Sequence, residues 1–309
     1  MKILNVKKIN ENIVADTRKV LLDTESRYRG QLFNVAEKIL ANRHIEVVLL
    51  AGPSCAGKTT SARLLKEIFE QRGRDVITLS MDDFFIDREK SPVLPNGLKD
   101  FDSPCNVNTE QMKECFDSLL ADKETGFPEY DFISGKNISN RFTYKKKYNT
   151  IIIFEGLHVL NPKVNFVFDP DKCYKIYVNA LSNFSLNKKR MNTVDIRLLR
   201  RMIRDVRKRN HTPEKTLESW QLVCDAEKKY ITPFKKYADS IIDTTHEYEL
   251  SVFKGEFNTL IKQKKITYDA VNFREFLEES ENMDINQLPD TSLMWEFLIK
   301  PEKKESEEK

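Results

Sequence analysis

The sequence has few of the features that mark secreted or metal-scaffolded proteins. Its 309 residues include only five cysteines, an odd and dispersed set, and four histidines that form no cluster. No Cys-x-x-Cys pair is present, so neither a zinc site nor a disulfide framework is indicated. We therefore expect free thiols in a reducing compartment.

Long apolar runs are also missing. No stretch approaches the length of a membrane span, and the N-terminus, Met-Lys-Ile-Leu-Asn-Val-Lys-Lys, lacks the apolar segment of a signal peptide. These absences predict a cytoplasmic protein with no membrane partner.

The sequence also has no large excess of positive or negative charge. Lysine and arginine total 51 against 48 acidic residues, a formal net charge of +3. That excess is too small to indicate a nucleic-acid partner, and we interpret the basic runs 145–147 and 188–190 as solvated surface. The composition, 40% hydrophobic and 32% charged, is ordinary for a globular chain with one large core or two small ones.

The most specific feature that is present is a glycine-rich motif. Residues 52–59 read Gly-Pro-Ser-Cys-Ala-Gly-Lys-Thr, which is G-x-x-x-x-G-K-[ST], directly after the apolar run 45–51. Helical spacing of Ala62, Leu65 and Phe69 follows, so a strand, a loop and a helix succeed one another as phosphate binding requires. A chance glycine-rich turn is the alternative. The motif predicts that backbone N–H groups and Lys58 bind nucleotide phosphates while the Thr59 hydroxyl binds Mg²⁺.

Further short apolar runs predict buried strands at 76–79, 151–154, 173–178 and 240–242, with helical patterns between them. Strands that alternate with helices predict an α/β fold with a mostly parallel, doubly wound sheet. The proline-rich stretch 87–107 is expected to be a long functional loop. The charged stretch from Pro301 onward is expected to be a disordered tail.

Acidic residues follow two of the predicted strands. Asp82 and Asp83 come after the second strand, where either could bind Mg²⁺, accept a proton from a hydroxyl, or merely cap the following turn. Glu155 follows the next strand at the position of a Walker B acid; the alternative is a surface carboxylate. The sequence places these acids at the sheet edge that carries the phosphate loop.

Basic residues recur at helical spacing in a later segment: Arg197, Arg200, Arg201, Arg204 and Lys208. Like charges on one helix face repel, so the clustering indicates an anionic counterpart such as a transferring phosphoryl group. A solvated helix paired with acids elsewhere is the alternative. Beside a phosphate loop, a helical lid is favoured.

Taken together, these motifs resemble the uridine kinase and phosphoribulokinase family of P-loop kinases, in its bacterial-type uridine kinase-like branch. The resemblance rests on residues 52–60, 80–90, 154–158, 200–205, 227–234 and 292–297 and spans about residues 27–298. It implies a three-layer P-loop kinase fold with an arginine-bearing lid, with Mg²⁺ and ATP as cofactor and phosphoryl donor. Many relatives carry an N-terminal synthetase-like domain, for which this sequence offers too few residues.

The resemblance also implies roles for individual residues. The nucleotide would contact Gly52, Ser54, Cys55, Ala56, Gly57, Lys58, Thr59 and Thr60. Thr59, Asp82 and Glu155 would form the metal environment. Catalysis would use Asp82, Lys58, Arg201 and Arg204, and the acceptor would contact Asp83, Phe85, Tyr130, Arg204 and Arg209.

Two positions depart from the family pattern on the acceptor side. Uridine kinases have a base-reading histidine five residues after the tyrosine that matches Tyr130, whereas this sequence has Gly135. They hold the ribose hydroxyls with an aspartate where this sequence has Cys105. Because losing such polar groups costs several kcal/mol of discrimination, the substrate does not follow from the fold; Asp83 or Asp102 could substitute.

The expected domain organisation is an N-terminal helical extension at 1–44, a kinase core at 45–255 with its lid at about 182–212, and a C-terminal extension with the charged tail at 256–309. The expected function is transfer of the γ-phosphoryl group of Mg-ATP to a nucleoside 5′-hydroxyl, with uridine or cytidine favoured. The alternatives are a kinase for a sugar phosphate or pantothenate-like acceptor, and a non-catalytic nucleotide-binding regulator. A homo-oligomer is possible.

Overall fold

The computed structural model describes residues 2–263 and 273–301, so the predicted tail lies almost wholly outside the described residues. Contacts divide the chain into two units. The sheet unit comprises Arg29–Asn179 and Leu222–Ile242. The helix unit comprises the described residues of Met1–Tyr28, Ala180–Gln221 and Asp243–Lys309. The division at 44/45 and 255/256 expected from the sequence stays a prediction.

The strands of the described residues are β1 (Ile3–Asn5), β2 (Val47–Ala51), β3 (Asp75–Ser80), β4 (Thr125–Asp131), β5 (Lys136–Tyr144), β6 (Thr150–Gly156), β7 (Cys173–Asn179), β8 (Asn183–Leu186), β9 (Lys189–Met191) and β10 (Ser240–Asp243). The α-helices are α1 (Val6–Ala41), α2 (Lys58–Gln71), α3 (Thr109–Leu120), α4 (Pro162–Asn165), α5 (Thr193–Lys208), α6 (Pro213–Tyr230), α7 (Glu249–Lys262) and α8 (Arg274–Glu279). Short 3-10 helices lie at Met81–Phe84, Arg88–Lys90, Pro104–Asn106, Pro170–Lys172, Thr232–Tyr237, Ile285–Gln287 and Leu293–Glu296.

The sheet unit is built on a five-stranded sheet in the order β10-β7-β2-β6-β3. The pairs β7–β2, β2–β6 and β6–β3 are parallel. Every residue of β2 is buried, as a parallel strand covered on both faces requires. The apolar runs of the sequence therefore predicted these strands correctly.

Helices cover both faces of this sheet, which confirms the α/β layering. Leu49 and Phe154 share a buried apolar cluster with Met112 and Phe116 of α3. Alternate strand residues such as Leu50 point to the opposite face, and α2 contacts β2, β3 and β6. The sheet and its flanking helices form the three layers of a P-loop fold.

A second pairing in the sheet unit has no counterpart among the predicted strands. β4 and β5 form an antiparallel hairpin whose register shifts between Phe127 and Glu129. Nearly all of β5 is exposed or half-buried, so it carries no buried apolar run. Tyr130, which is predicted to contact the acceptor, lies on β4 of this hairpin.

The helix unit contains a small sheet in the order β1-β8-β9. Phe184 and Leu186 of β8 are buried while Ser185 is not, and Asn187 and Lys188 both have positive φ, as in a tight hairpin turn. The first part of the segment expected to be a helical lid is therefore a β-hairpin. The helix in this segment is α5, which begins with a capping box formed by Asn192 and Asp195.

Two predictions drawn from absences can be compared with the structure. Among the described residues, no helix is both long enough and apolar enough to cross a membrane. The cysteines are free, and Cys105 is exposed whereas Cys55, Cys115 and Cys173 are buried.

Candidate active site

The glycine-rich motif forms the turn between β2 and α2, as predicted. Gly57 has φ of 90° and ψ of 26°, and Cys55 has φ of 60°, so two residues of the turn are left-handed. A Cβ at Gly52 would lie 2.2 Å from the carbonyl oxygen of Val178, so only glycine fits there. The turn thus brings backbone close to β7 and opens toward the N-terminus of α2.

The start of α2 has the groups that bind phosphate. Lys58 is the first residue of the helix, and its Nζ donates to the carbonyl oxygen of Pro53 at 3.3 Å. The amine therefore lies across the turn, where it could exchange that carbonyl for a phosphate oxygen. The first N–H groups of a helix favour anions, which adds to this preference.

Glu155 and the phosphate loop are joined by a direct contact. The Thr59 hydroxyl donates to Oε1 of Glu155 at 3.3 Å. The contact arises because β2 and β6 are parallel neighbours in which Leu50 is the register partner of Glu155. Both residues thus lie at the same edge of the sheet.

Asp82 and Asp83 lie in the 3-10 helix that follows β3. Ser80 caps this turn by accepting from the backbone N–H of Asp82 at 3.2 Å, and it is also the register partner of Glu155. Burial, with the nearby carboxylates of Asp82 and Glu129, raises the pKa of Asp83 to about 6. The carboxyl of Asp83 therefore titrates well above the usual range of an aspartate.

The donor half of the predicted site is thus assembled by three adjacent parallel strands. The phosphate loop follows β2, Glu155 is on β6, and Asp82 follows β3. The hydroxyl and carboxylate oxygens of Thr59, Glu155 and Asp82 are the donors that Mg²⁺ prefers. The described residues contain no group of three His, Cys, Asp or Glu side chains able to hold a metal alone. Mg²⁺ usually takes one or two protein ligands and completes its shell with phosphates and water.

The residues predicted to contact the acceptor lie on the β4–β5 hairpin and in the segment after β3. The buried ring of Tyr130 meets Phe85 edge to face, with centroids 5.7 Å apart. The Asn137 amide donates to the carbonyl oxygens of Asp83 and Phe85, each at 3.0 Å. The predicted acceptor residues Asp83, Phe85 and Tyr130 are therefore neighbours. The hydrogen bonds of Asn137 hold the backbone of Asp83 and Phe85 beside the hairpin.

Gly135, at the position of the family's base-reading histidine, has a structural role in this chain. Its φ is +70°, and a Cβ there would lie 2.8 Å from Cβ of Arg88. The Gly135 carbonyl oxygen also accepts from the Arg88 N–H at 2.8 Å. A side chain at this position would therefore have to displace the Arg88 segment.

The loop that carries Cys105 packs against the same segment. The Asn106 carbonyl oxygen accepts from the N–H of Ile86 at 2.8 Å, and Phe85 pairs with Val107. Cys105 is exposed, and its N–H donates to the Ser103 hydroxyl at 3.3 Å. The thiol thus replaces the family's aspartate without being needed in the core.

His158, just beyond Glu155, is a buried residue that the sequence did not single out as functional. It is 1% exposed, and its ring meets that of Tyr230 edge to face at 6.2 Å. Burial lowers the pKa of His158 to about 4, so the imidazole is neutral at physiological pH. The backbone groups of Tyr230 and Asp102 near the ring oppose this shift.

The arginines of α5 separate into two groups. Arg197 and Arg200 are fully buried, and Arg200 pairs with Glu249 at 2.8 Å, so they stabilise the helix unit and do not extend a cationic face. The predicted lid residues Arg201, Arg204 and Arg209 instead converge on a second acid, Asp205. Asp205 could have been noticed in the motif Arg-Arg-Met-Ile-Arg-Asp, but its contacts could not.

A glycine-rich phosphate-binding motif with acids at the same edge of a parallel sheet is the arrangement typical of P-loop kinases. The sequence profile of the Phosphoribulokinase / Uridine kinase family matches residues 47–251. The chain belongs to this family.

The chain is also similar, at low identity, to individual proteins. A uridine kinase of Bacillus thuringiensis (strain Al Hakam) is 25% identical over 222 residues, 71% of this chain and 95% of the relative. Uridine kinase-like protein 5 of Arabidopsis thaliana is 28% identical over 209 residues, 67% of this chain and 40% of the relative. A possible uridine kinase from Bacillus stearothermophilus, known as a solved structure, is 18% identical with a TM-score of 0.47, and the match covers 70% of this chain and 98% of that one.

Proposed function

We propose that this protein transfers the γ-phosphoryl group of Mg-ATP to the 5′-hydroxyl of a nucleoside, with uridine or cytidine as the favoured acceptors. The observation that carries the proposal is the contact between Thr59 and Glu155. Asp82 lies at the same edge of the sheet, directly after β3, which pairs with β6. Binding of a nucleotide needs only the loop. The additional acids are what phosphoryl transfer requires.

On the donor side, the backbone of residues 52–60 would surround the phosphates, and Lys58 would contact their β- and γ-oxygens. Thr59 and Glu155 would hold Mg²⁺ directly or through water, with Asp82 as a further partner. When bound, the ion would neutralise charge on the phosphates. Arg201 and Arg204 would supply positive charge to the transferring group.

On the acceptor side, Asp82 would orient the hydroxyl and accept its proton as the new phosphate bond forms. The Tyr130 and Phe85 rings offer an apolar surface for a base, and Asp83 offers a carboxyl that can bind a donor group. Arg204 and Arg209 would contact the acceptor or its new phosphate. We expect these steps to occur in the cytoplasm. We also propose that the protein can assemble into a homo-oligomer.

A second candidate is a kinase for another small hydroxyl compound, such as a sugar phosphate or a pantothenate-like molecule. The observation that favours it is the left-handed Gly135 packed on Arg88, together with the exposed thiol at Cys105. Both positions differ where uridine kinases read base and ribose. The donor chemistry would be the same.

The experiment is an acceptor panel. Purified protein is incubated with Mg-ATP and either uridine, cytidine, purine nucleosides, sugar phosphates or pantothenate, and ADP release and the phosphorylated product are measured. The proposal expects turnover with a pyrimidine nucleoside and a 5′-monophosphate product. A Lys58→Met variant purified in parallel controls for contaminating kinases. Turnover with none of the nucleosides would overturn the nucleoside assignment, and turnover of another acceptor would establish the second candidate.

A further inference from the structure

Asp205 is a buried carboxylate shared by three arginines. Its side chain is 2% exposed. Nη2 and Nε of Arg204 donate to its Oδ1 at 2.8 and 3.1 Å. Nε of Arg201 lies 3.4 Å from Oδ2, and Nε of Arg209 lies 3.8 Å from Oδ1. Arg201 and Arg209 are four residues before and after Asp205, so both lie within reach of its carboxylate, and Arg204 reaches it from the adjacent position.

The same aspartate fixes the connection between α5 and α6. The Thr216 hydroxyl, in the first turn of α6, donates to Oδ2 of Asp205 at 3.2 Å. The Asp205 carbonyl oxygen accepts from the N–H groups of Arg209 and His211, at 3.1 and 3.0 Å. The carboxylate therefore has a defined position that depends on the backbone as well as on the arginines.

The cluster has a surplus of positive charge. One carboxylate lies among three guanidinium groups, so these four side chains together carry more positive than negative charge. The pKa of His211 is lowered by burial and further by Lys215, Arg209 and Arg201, while Asp205 opposes the shift. Such a group favours a polyvalent anion.

We propose that Asp205 is a positioning residue that gathers Arg201, Arg204 and Arg209 into one preorganised group for the phosphates of the nucleotide. The inference rests on the proposed function, because it takes these arginines as phosphate ligands. Three guanidinium groups repel one another, and the carboxylate between them holds each near the geometry needed for binding. Preorganised charge of this kind lowers the cost of reorganisation when the anion arrives.

The direction in which Asp205→Asn changes ATP affinity distinguishes a positioning role from a purely electrostatic one. Asp205→Asn keeps an acceptor for Thr216 but removes the negative charge. If Asp205 only cancelled positive charge, the variant would bind ATP more tightly. Positioning instead predicts that ATP binding, measured by calorimetry on folded protein, weakens by about tenfold or more despite the added net charge. Unchanged or tighter binding would overturn the inference.

Two control variants isolate other effects. Thr216→Val removes the hydroxyl contact but keeps the carboxylate and the arginines, so its melting temperature should fall while ATP affinity stays within about twofold. Asp225→Asn makes the same charge change at an exposed residue whose partner, Lys228, is also exposed, and should leave ATP affinity unchanged. An Asp225→Asn effect as large as that of Asp205→Asn would contradict positioning.

The failure of this inference can be told from the failure of the proposed function. If Arg204→Lys weakens ATP binding and Asp205→Asn does not, only the inference about Asp205 fails. If neither variant changes ATP binding, the arginines are not phosphate ligands. The inference about Asp205 then fails, and the proposed function loses its phosphate-binding arginines. If Asp205→Asn does not fold, as judged by circular dichroism, ATP binding is measured with Asp205→Glu instead. It keeps the charge but displaces the carboxylate, so weakened ATP binding supports positioning and wild-type affinity contradicts it.

Discussion

The hydroxyl of Thr59 donates to the carboxylate of Glu155 across 3.3 Å, although the two residues are 96 positions apart. The contact joins the first turn of α2 to the end of β6. Two hard oxygen ligands thus lie together beside the phosphate loop, where a metal-bound nucleotide would be held.

A metal role for this pair predicts a specific effect of Thr59→Ala. Loss of the hydroxyl should raise the Mg²⁺ concentration needed for half-maximal turnover by about tenfold or more, because one ligand is gone. The measurement is a Mg²⁺ titration at saturating ATP. Thr59→Ser retains the hydroxyl and should behave like the wild type; an alanine variant with unchanged Mg²⁺ dependence would remove Thr59 from the metal environment.

The raised pKa of Asp83 predicts a pH dependence of stability. Between its unfolded pKa, near 3.8, and its folded pKa, about 6, the folded protein binds more protons than the unfolded chain. Stability contributed by protonated Asp83 is therefore lost as pH rises from about 4 to 6. Asp83→Asn should remove this loss, gaining up to roughly 3 kcal/mol in unfolding free energy at pH 7 relative to pH 4. Urea denaturation of both proteins at the two pH values measures it, and equal pH dependence would show that Asp83 has an ordinary pKa.

Gly135→His would restore the residue type of uridine kinases at this position, yet it should not restore their recognition of the base. The new Cβ would meet Arg88 on a left-handed backbone, so we expect a loss of about 2 kcal/mol in unfolding free energy and no tighter uridine binding. Gly73→His is the matched control, since Gly73 has φ of +74° with open space around its Cβ. Equal losses in the two variants would attribute the cost to backbone strain alone.

Cys105→Asp tests the other departure from the family. Since the thiol is exposed, the substitution should be tolerated. If the acceptor is a ribonucleoside, a carboxylate there should lower the KM for uridine by about tenfold or more, through charge-assisted hydrogen bonds to the ribose hydroxyls. Cys105→Ser controls for loss of the thiol. A KM that stays the same would place the acceptor's hydroxyls elsewhere.

The donor half of the site could be predicted from the sequence because its signals are local. The loop motif and the apolar runs of β2 and β6 report their own structure, since a strand buried on both faces must be apolar throughout. Parallel neighbours then bring the residues after each strand to one edge. Asp82 and Glu155 were placed correctly for that reason.

The hairpin β4–β5 could not be predicted in this way. β5 is mostly exposed, so it shows no apolar alternation, and Asn137 of β5 donates to the carbonyl oxygens of Asp83 and Phe85, about 50 residues earlier in the sequence. The arginines of α5 were equally ambiguous. Arg200 is neutralised by Glu249, 49 positions later. The spacing of residues along one helix cannot indicate a partner so distant in the sequence.

The most direct test of the account is the paired measurement of ATP binding and phosphoryl transfer in Asp82→Asn. The acceptor is whichever compound of the panel the wild-type protein phosphorylates. We predict near-normal ATP affinity with turnover reduced by about 10²- to 10⁴-fold, because the variant keeps the phosphate loop but loses the acid that accepts the hydroxyl proton. Turnover at the wild-type rate would contradict the assignment of Asp82 and with it the catalytic centre described at the ends of β2, β3 and β6.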